Sequence, residues 1–231
     1  MGERAWHRRG GFVAASLLLF LFISNLPAQA EMYVAGLVGD QIPYTFSSVE
    51  GVGTHAGETI SGLNLRYSKV YGAKIGYYFD SMKWLGLETE YFHTDPHFMR
   101  QIYATRNAAG VVTSSKTLNG QDVRLNVWVP ITVLVRYQWA KFEPYAGVGM
   151  GVFFAHLRDG ATHETSDSTT VGLNTQLGLL YFVTKNVALI GEFKYIRTNW
   201  NFEESGPTRA AGGFKGDFSA HTVSVGLAYH F

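Results

Sequence analysis

Apolar and polar residues alternate along most of this chain, and the C-terminal segment is a good example. Its apolar positions are Val223, Val225, Leu227, Tyr229 and Phe231, and small or polar residues lie between them. A period of two places successive side chains on opposite faces of a strand. We therefore predict a β-strand with one apolar face at this end of the chain.

Eight stretches of the chain alternate in this way. They are Met32–Asp40, Arg66–Phe79, Leu85–Thr94, Asp122–Trp139, Tyr145–Leu157, Thr170–Phe182, Val187–Asn199 and Phe218–Phe231. Short links follow the second, fourth and sixth stretches, whereas long polar links follow the first, third, fifth and seventh. The long links are Gln41–Leu65, Asp95–Gln121, Arg158–Thr169 and Trp200–Asp217. An even strand number with short turns at one end and long loops at the other is typical of an outer-membrane barrel whose termini both face the periplasm.

The first 30 residues have the features of a secretory leader. A positive stretch at His7–Arg9 precedes the apolar run Phe12–Leu26, and Ala28–Ala30 has the small-x-small pattern of a cleavage site. We therefore predict a signal peptide over residues 1–30 and a single barrel domain over residues 31–231.

Charge and composition narrow the class of protein further. The leader holds three of the 19 basic and one of the 18 acidic residues, which leaves 16 and 17 in the rest of the chain. This balance predicts no nucleic-acid partner. The chain has no cysteine, so a disulfide scaffold is excluded. After the leader no apolar run approaches the ~20 residues of a membrane helix, so a closed barrel is the form predicted to cross lipid.

The faces of the fourth stretch fit a lipid-facing wall. We expect the odd-numbered residues from Val123 to Trp139 to form one continuous apolar side, opposite Arg124 and Arg136. Pro130 cannot donate to a strand ladder, so we expect a bulge or a rim position there. In the fifth stretch three glycines share one face, where they are expected to make room inside a narrow barrel. These glycines are Gly147, Gly149 and Gly151.

Several segments resemble the small eight-stranded outer-membrane β-barrel superfamily, which includes the OmpA transmembrane domain and the opacity proteins. They are "WLGLETEYF" (Trp84–Phe92), "EPYAGVGMGV" (Glu143–Val152), "LGLLYFVTKNVALIGEFKY" (Leu177–Tyr195) and the C-terminal strand. The resemblance implies an all-β, eight-stranded, antiparallel up-and-down transmembrane barrel in a Gram-negative outer membrane. It also implies contact with outer-membrane lipid and lipopolysaccharide, and with periplasmic chaperones and the barrel-assembly machinery during insertion.

The C-terminal strand is similar to the assembly signal of such families, polar-x-Gly-x-x-aromatic-x-aromatic. The matching residues are Ser224, Gly226, Tyr229 and Phe231. By this resemblance the last strand directs insertion of the barrel as well as forming part of its wall.

Charged residues fall on the predicted inward faces, close to the short-turn end. They are Lys74, Glu88, Glu90, Arg136, Glu192 and Lys194. Because an unpaired charge inside a narrow barrel is costly, we expect these residues to pair and fill the lumen. The strand registers predict two pairs, Lys74–Glu90 and Glu88–Arg136.

The resemblance specifies architecture more closely than activity. Our first hypothesis is a non-enzymatic barrel that acts in envelope structure or surface contacts, with its surface ligand left open. A transport barrel for small or hydrophobic solutes is the alternative, and a lipid-modifying enzyme is third. We predict no catalytic residue, cofactor or metal site, although His93, Asp95 and His97 are closely spaced and of metal-ligating type.

Overall fold

The fold is a barrel of eight long strands in this computed structural model, which describes residues 31–52, 56–118, 120–159, 165–202 and 214–231. The strands are β1 (Glu31–Pro43), β2 (Ser68–Phe79), β3 (Met82–Thr94), β4 (Gln121–Arg136), β5 (Phe142–Asp159), β6 (Thr165–Phe182), β7 (Val187–Phe202) and β8 (Phe214–His230). The predicted leader, residues 1–30, lies outside the described residues. No helix in the described ranges is long and apolar enough to cross a membrane.

Each strand pairs antiparallel with the next strand in the chain. β8 returns to pair with β1, from Tyr33 opposite His230 to Pro43 opposite Ala220. This pairing closes the sheet, so the eight-stranded antiparallel barrel predicted from the alternation is confirmed. We call the end with the short turns after β2, β4 and β6 the inner end, and the opposite end the outer end.

The two long links that precede β2 and β4 contain further β-structure. Six short strands lie there, at Ser47–Gly51, Thr59–Ile60, Leu65–Arg66, His97–Phe98, Gln101–Arg106 and Val112–Leu118. Four of them extend β8 as one sheet, which we call the outer sheet, in the order Ser47–Gly51, Thr59–Ile60, Gln101–Arg106 and Val112–Leu118. These links are therefore partly ordered as strands, because the start of β8 continues past the barrel and offers its backbone for pairing.

A bulge at Pro130 divides β4 into two halves. Its register shifts between Trp128 and Ile131 against β5 and between Val129 and Thr132 against β3, so the predicted bulge is confirmed. The extra residue moves the two-residue period by one place. The expectation of one continuous lipid-facing side on β4 is therefore wrong. The odd-numbered residues from Val123 to Val129 point into the barrel and are buried, whereas those from Ile131 to Val135 face outward.

The outer half of the lumen is filled by apolar side chains, which we call the outer core. Its members are Phe46, Val49, Leu63, Leu65, Val70, Phe92, Phe98, Val123, Leu125, Val127, Val129, Phe153, Ala155, Leu157, Ile196, Trp200, Phe218 and Ala220. The Trp200 ring stacks on Phe218 with centroids 4.0 Å apart and lies 5.7 Å from Phe46. Because Phe46 comes from the first long link, the outer core joins that link to the barrel.

Candidate functional site

Alternation along β2, β3, β4 and β7 directs six charged side chains into the inner half of the lumen. They are Lys74, Glu88, Glu90, Arg136, Glu192 and Lys194, and each is at most 4% exposed. A charge so completely removed from water needs an oppositely charged partner and hydrogen bonds to compensate for its lost hydration.

Five of these residues form one chain of ion pairs across the lumen, which we call the central network. Lys74 Nζ lies 2.6 Å from Glu192 Oε2 and 3.2 Å from Glu88 Oε1. Lys194 pairs with Glu90 and lies 3.4 Å from Glu192 Oε1. The network therefore joins β2 and β3 on one side of the barrel to β7 on the other.

Neutral side chains add hydrogen bonds to the central network. The Tyr145 hydroxyl donates to Glu192 Oε2 at 2.6 Å, and Gln176 Nε2 donates to Glu88 Oε1 at 2.8 Å. The Tyr33 hydroxyl also donates to Glu88. These donors hold both carboxylates in place.

Each inward tyrosine lies across from a glycine on the neighbouring strand. Tyr33 is opposite Gly76, and Tyr145 is opposite Gly178. A Cβ atom added at either glycine would lie 2.2 Å from the tyrosine ring. The missing side chains therefore make room for two rings whose hydroxyls reach the central network. Gly147 and Gly149 likewise face inward, where a Cβ would meet Thr132 within 3.0 Å.

Arg136 belongs to a separate cluster at the inner end. Its guanidinium contacts Glu31, lies 2.9 Å from Glu143 Oε2, and donates from Nε to the Lys83 carbonyl oxygen at 2.8 Å. It also lies 3.6 Å from the centroid of the Tyr78 ring. We call this group, together with His230, the Arg136 cluster, because His230 Nδ1 lies 2.7 Å from Glu31 Oε1.

The predicted pairing of Glu88 with Arg136 is wrong. Arg136 instead pairs with Glu31 and Glu143, while Glu88 pairs with Lys74. Lys74 and Glu90 do lie opposite each other in the ladder, yet the Lys74 ammonium reaches Glu192 and Glu88 instead. In a narrow barrel, side chains from facing walls meet, so the nearest partner is not always the neighbour in register.

The residues of the predicted assembly signal lie on both faces of β8. Ser224 is buried and faces the lumen, while Tyr229 and Phe231 are 46% and 70% exposed on the outside. Gly226 lies at the seam with β1, where an added Cβ would be 2.1 Å from the Gly36 carbonyl oxygen. A side chain at this position would therefore push the two closing strands apart. The role of the four residues in assembly stays a prediction.

The outer histidines pair separately with carboxylates. His93 Nε2 lies 3.1 Å from Asp95 Oδ2, whereas His97 Nδ1 lies 2.6 Å from Asp122 Oδ1. No group of three metal-ligating side chains occurs among the described residues. His55 and His163 lie outside that part of the chain. His221 faces outward and Ser224 inward, so the two side chains lie on opposite sides of the wall.

Comparisons with known proteins agree with this architecture. A family model described as "Outer membrane protein beta-barrel domain" matches residues 13–231. The crystal structure of OprG from Pseudomonas aeruginosa is 13% identical, with 88% of this chain and 96% of that chain covered and a TM-score of 0.56. Neisserial surface protein A is 16% identical, with 87% and 99% covered and a TM-score of 0.51. At such identities the likeness shows the fold alone. No curated protein matches the sequence.

Proposed function

Since this chain belongs to the outer membrane protein β-barrel domain family, we propose that it serves the Gram-negative outer membrane as a non-enzymatic barrel with structural and surface-contact roles. Its inner end and both termini face the periplasm, and its outer sheet lies outside the cell. Outer-membrane lipid and lipopolysaccharide surround its wall. Periplasmic chaperones and the barrel-assembly machinery act on it only during insertion.

The filling of the lumen is the observation that carries this proposal. The outer core packs the outer half with side chains such as Phe153, Trp200 and Phe218, all of which are fully buried. The central network crosses the inner half. An eight-stranded barrel is about wide enough for its interior side chains alone. A filled lumen favours a structural role over the passage of small polar solutes.

The outer sheet supports the surface-contact part of the proposal. It adds four short strands beyond the start of β8 and carries exposed apolar side chains, including Ile102 and Val112. Rigid strands lose less conformational entropy on binding than irregular loops, so such a sheet is a suitable platform for a partner.

Conductance in planar lipid bilayers tests the proposal directly. We expect no stable current steps of porin size from the purified protein, because apolar side chains pack the outer half of the lumen and ion pairs cross the inner half. A known porin reconstituted in parallel is the control for insertion. Stable porin-sized steps from the unmodified protein would overturn the proposal. Lipid A mass spectra from cells with and without the protein test the enzymatic alternative, and we expect them to be identical.

Passage of hydrophobic compounds is the second candidate, and the apolar character of the outer core favours it. Proteoliposomes that enclose a quencher are mixed with an apolar fluorescent probe in the outer solution. The rate at which the fluorescence falls measures entry of the probe. A rate above that of protein-free liposomes, lowered by filling the outer core with Ala155→Leu, would favour transport. Equal rates with and without protein are expected for the structural role.

A further inference from the structure

The ionised side chains of the central network sum to one excess negative charge. The network contains three glutamates and two lysines, each at most 4% exposed. The neighbouring Arg136 cluster supplies no surplus of positive charge, because Glu31 and Glu143 at least balance Arg136 and His230. Since an uncompensated charge is costly away from water, a further positive charge is expected within the inner half of the lumen.

A proton on one of the three acids is a poor source of this charge. All four carboxylate oxygens of Glu88 and Glu192 face hydrogen-bond donors or ammonium groups. A proton on either acid would therefore point at a hydrogen of its neighbour. Glu90 Oε2 is without a partner among the described residues, but a neutral Glu90 would give up its ion pair with Lys194. A bound cation is the other source of positive charge.

Three neutral side chains beside the network carry buried oxygens without hydrogen-bond partners among the described residues. These oxygens are Thr132 Oγ1, Asn174 Oδ1 and Gln176 Oε1, on inward side chains that are at most 2% exposed. The Asn174 amide nitrogen is likewise without a partner in that part of the chain. Buried oxygens of this kind indicate a bound donor or a bound cation.

The glycines of β5 let these three side chains meet on one stretch of the inner wall, which we call the β5 site. Gly149 lies between Thr132 and Asn174 in the ladder, and a Cβ atom added there would be 2.5 Å from Thr132 Oγ1. A Cβ atom added at Gly147 would lie within 3.0 Å of both Thr132 Cγ2 and Gln176 Cγ. Because β5 has no side chain here, Thr132 and Gln176 lean over it from the two neighbouring strands.

The β5 site adjoins the negatively charged network through Glu88. Gln176 Nε2 donates to Glu88 Oε1 at 2.8 Å, and Thr132 lies opposite Glu88 in the ladder with β3. A charge on the network therefore acts on the β5 site over a short path through buried side chains, where screening by water is weak.

The ligand set and the charge select the kind of cation. One hydroxyl and two amide oxygens are hard ligands, which suit alkali and alkaline-earth ions better than transition metals. A divalent ion such as Ca²⁺ would exceed the one negative charge to be balanced, and it usually takes about six to eight oxygen ligands. A monovalent ion matches the excess charge.

We propose that the β5 site binds one small monovalent metal cation, such as Na⁺, inside the lumen. Thr132 Oγ1, Asn174 Oδ1 and Gln176 Oε1 are its ligands, and its charge neutralises the central network. The cation is a structural part of the inner half, so it stabilises the folded barrel. This site depends neither on the surface role proposed above nor on the orientation of the barrel in the membrane.

Urea unfolding of the purified protein in detergent, at two concentrations of NaCl, tests this site. NaCl is raised from about 5 to about 500 mM while choline chloride, whose cation is too large for the site, keeps the ionic strength constant. We expect the unfolding equilibrium constant to fall at least tenfold, as for an ion bound only by the folded state with a Kd of about 50 mM or lower. No change with Na⁺ would overturn the proposal. So would a change between about pH 6 and pH 9 without any effect of Na⁺, which would identify a proton as the counter-charge.

Matched variants locate the site within the lumen. Thr132→Val and Thr222→Val each replace a buried hydroxyl without a partner among the described residues, but Thr222 lies on β8, across the lumen from β4. Because a methyl group of similar shape takes the place of each hydroxyl, both variants should fold. We expect Thr132→Val to abolish most of the Na⁺ effect and Thr222→Val to retain it. Equal Na⁺ effects in the two variants would refute the β5 site.

Two further variants separate the ligands from the charge. Asn174→Leu removes a second ligand, and Glu90→Gln removes the excess negative charge while keeping an acceptor for Lys194. We expect the unfolding constants of both to be independent of Na⁺. A full Na⁺ effect in Glu90→Gln would show that the charge of the network does not hold the ion, contrary to the proposal.

Discussion

At the scale of single residues, the central network depends on glycines as well as on charged side chains. Gly76 and Gly178 lie across from Tyr33 and Tyr145 and leave the space that the two rings occupy. The hydroxyls of these rings then reach Glu88 and Glu192. Each carboxylate is therefore held by a tyrosine whose position is set by a glycine.

Substituting one of these glycines tests that dependence. Gly178→Ala is expected to displace the Tyr145 ring and to destabilise the barrel by about 1–3 kcal/mol through overpacking. The unfolding transition in detergent measures the change. Gly191→Ala is the matched control, because an added Cβ there meets nothing within 4 Å. An equal effect of the two substitutions would show that loss of backbone flexibility, and not the ring, determines the outcome.

Arg136 provides a second test at this scale, which asks which carboxylates pair with it. Arg136→Ala leaves Glu31 and Glu143 without the guanidinium, which costs about 3–5 kcal/mol in a dry interior and less here, where the Glu31 side chain is 30% exposed. Double-mutant cycles from urea unfolding should show coupling of Arg136 with Glu143. Additivity is expected with Glu88, which pairs with Lys74. Coupling to Glu88 and not to Glu143 would contradict the structure.

At the scale of strands, alternation predicts the strands and most of their inward faces. It predicts few of the side-chain pairs that form across the lumen. The period of two is a local property of the backbone, so all eight strands and the inward position of residues such as Lys74 and Glu192 follow from sequence. The inward direction of Val123 does not follow from sequence. Pro130 predicts a bulge, but it does not show that the side chains between the bulge and the outer end change faces. Nor do the partners of Arg136 follow from sequence, because Glu31 and Glu143 lie on other strands whose relative stagger no single strand reveals.

The bulge in β4 can be tested by removing its extra residue. Deleting Pro130 should restore an unbroken period and turn Val123 to Val129 toward lipid, while Arg124 and Asn126 turn inward. Because that exchange buries a charge in the outer core, we expect a sharp loss of folded, heat-modifiable protein on gels. Pro130→Val keeps the residue count and should retain most of the folded form. Full folding of the deletion variant would mean that β4 tolerates either register.

The exposed aromatic end of β8 gives a prediction about assembly. If the last strand directs insertion, Phe231→Ser should leave export intact but strongly reduce the folded barrel in the outer membrane. Trp139→Ser is the control, since Trp139 is 68% exposed at the same end but lies outside the last strand. Comparable losses of folded barrel in the two variants would indicate that any exposed aromatic ring at the inner end supports assembly, and not the last strand in particular.

At the scale of the whole molecule, the lumen has two halves with different chemistry. Apolar packing fills the outer half and joins the first two long links to the barrel through Phe46 and Phe98, whose rings lie 5.8 Å apart. Ion pairs fill the inner half and join facing walls. The outer half therefore resembles the core of a water-soluble protein enclosed by a membrane wall.

Removing one large ring from the outer core tests its contribution. Trp200→Ala is expected to destabilise the protein by about 3–5 kcal/mol, because it leaves a cavity beside Phe46 and Phe218. The outer sheet should then become accessible to protease at its first link, which limited proteolysis of intact proteoliposomes measures. Tyr67→Ala, which removes an exposed ring near the same end, is the control. Unchanged protease resistance would show that the link is held by strand pairing alone.

The order of the two fillings along the barrel axis has an electrical consequence. The two halves lie in series along the axis, so in the closed barrel that we propose the packed outer core sets the resistance to current. Breaking an ion pair of the inner half lowers the free energy of unfolding but leaves that resistance unchanged. We therefore expect variants of the inner half to change stability without changing conductance, because the two properties depend on different side chains at different depths.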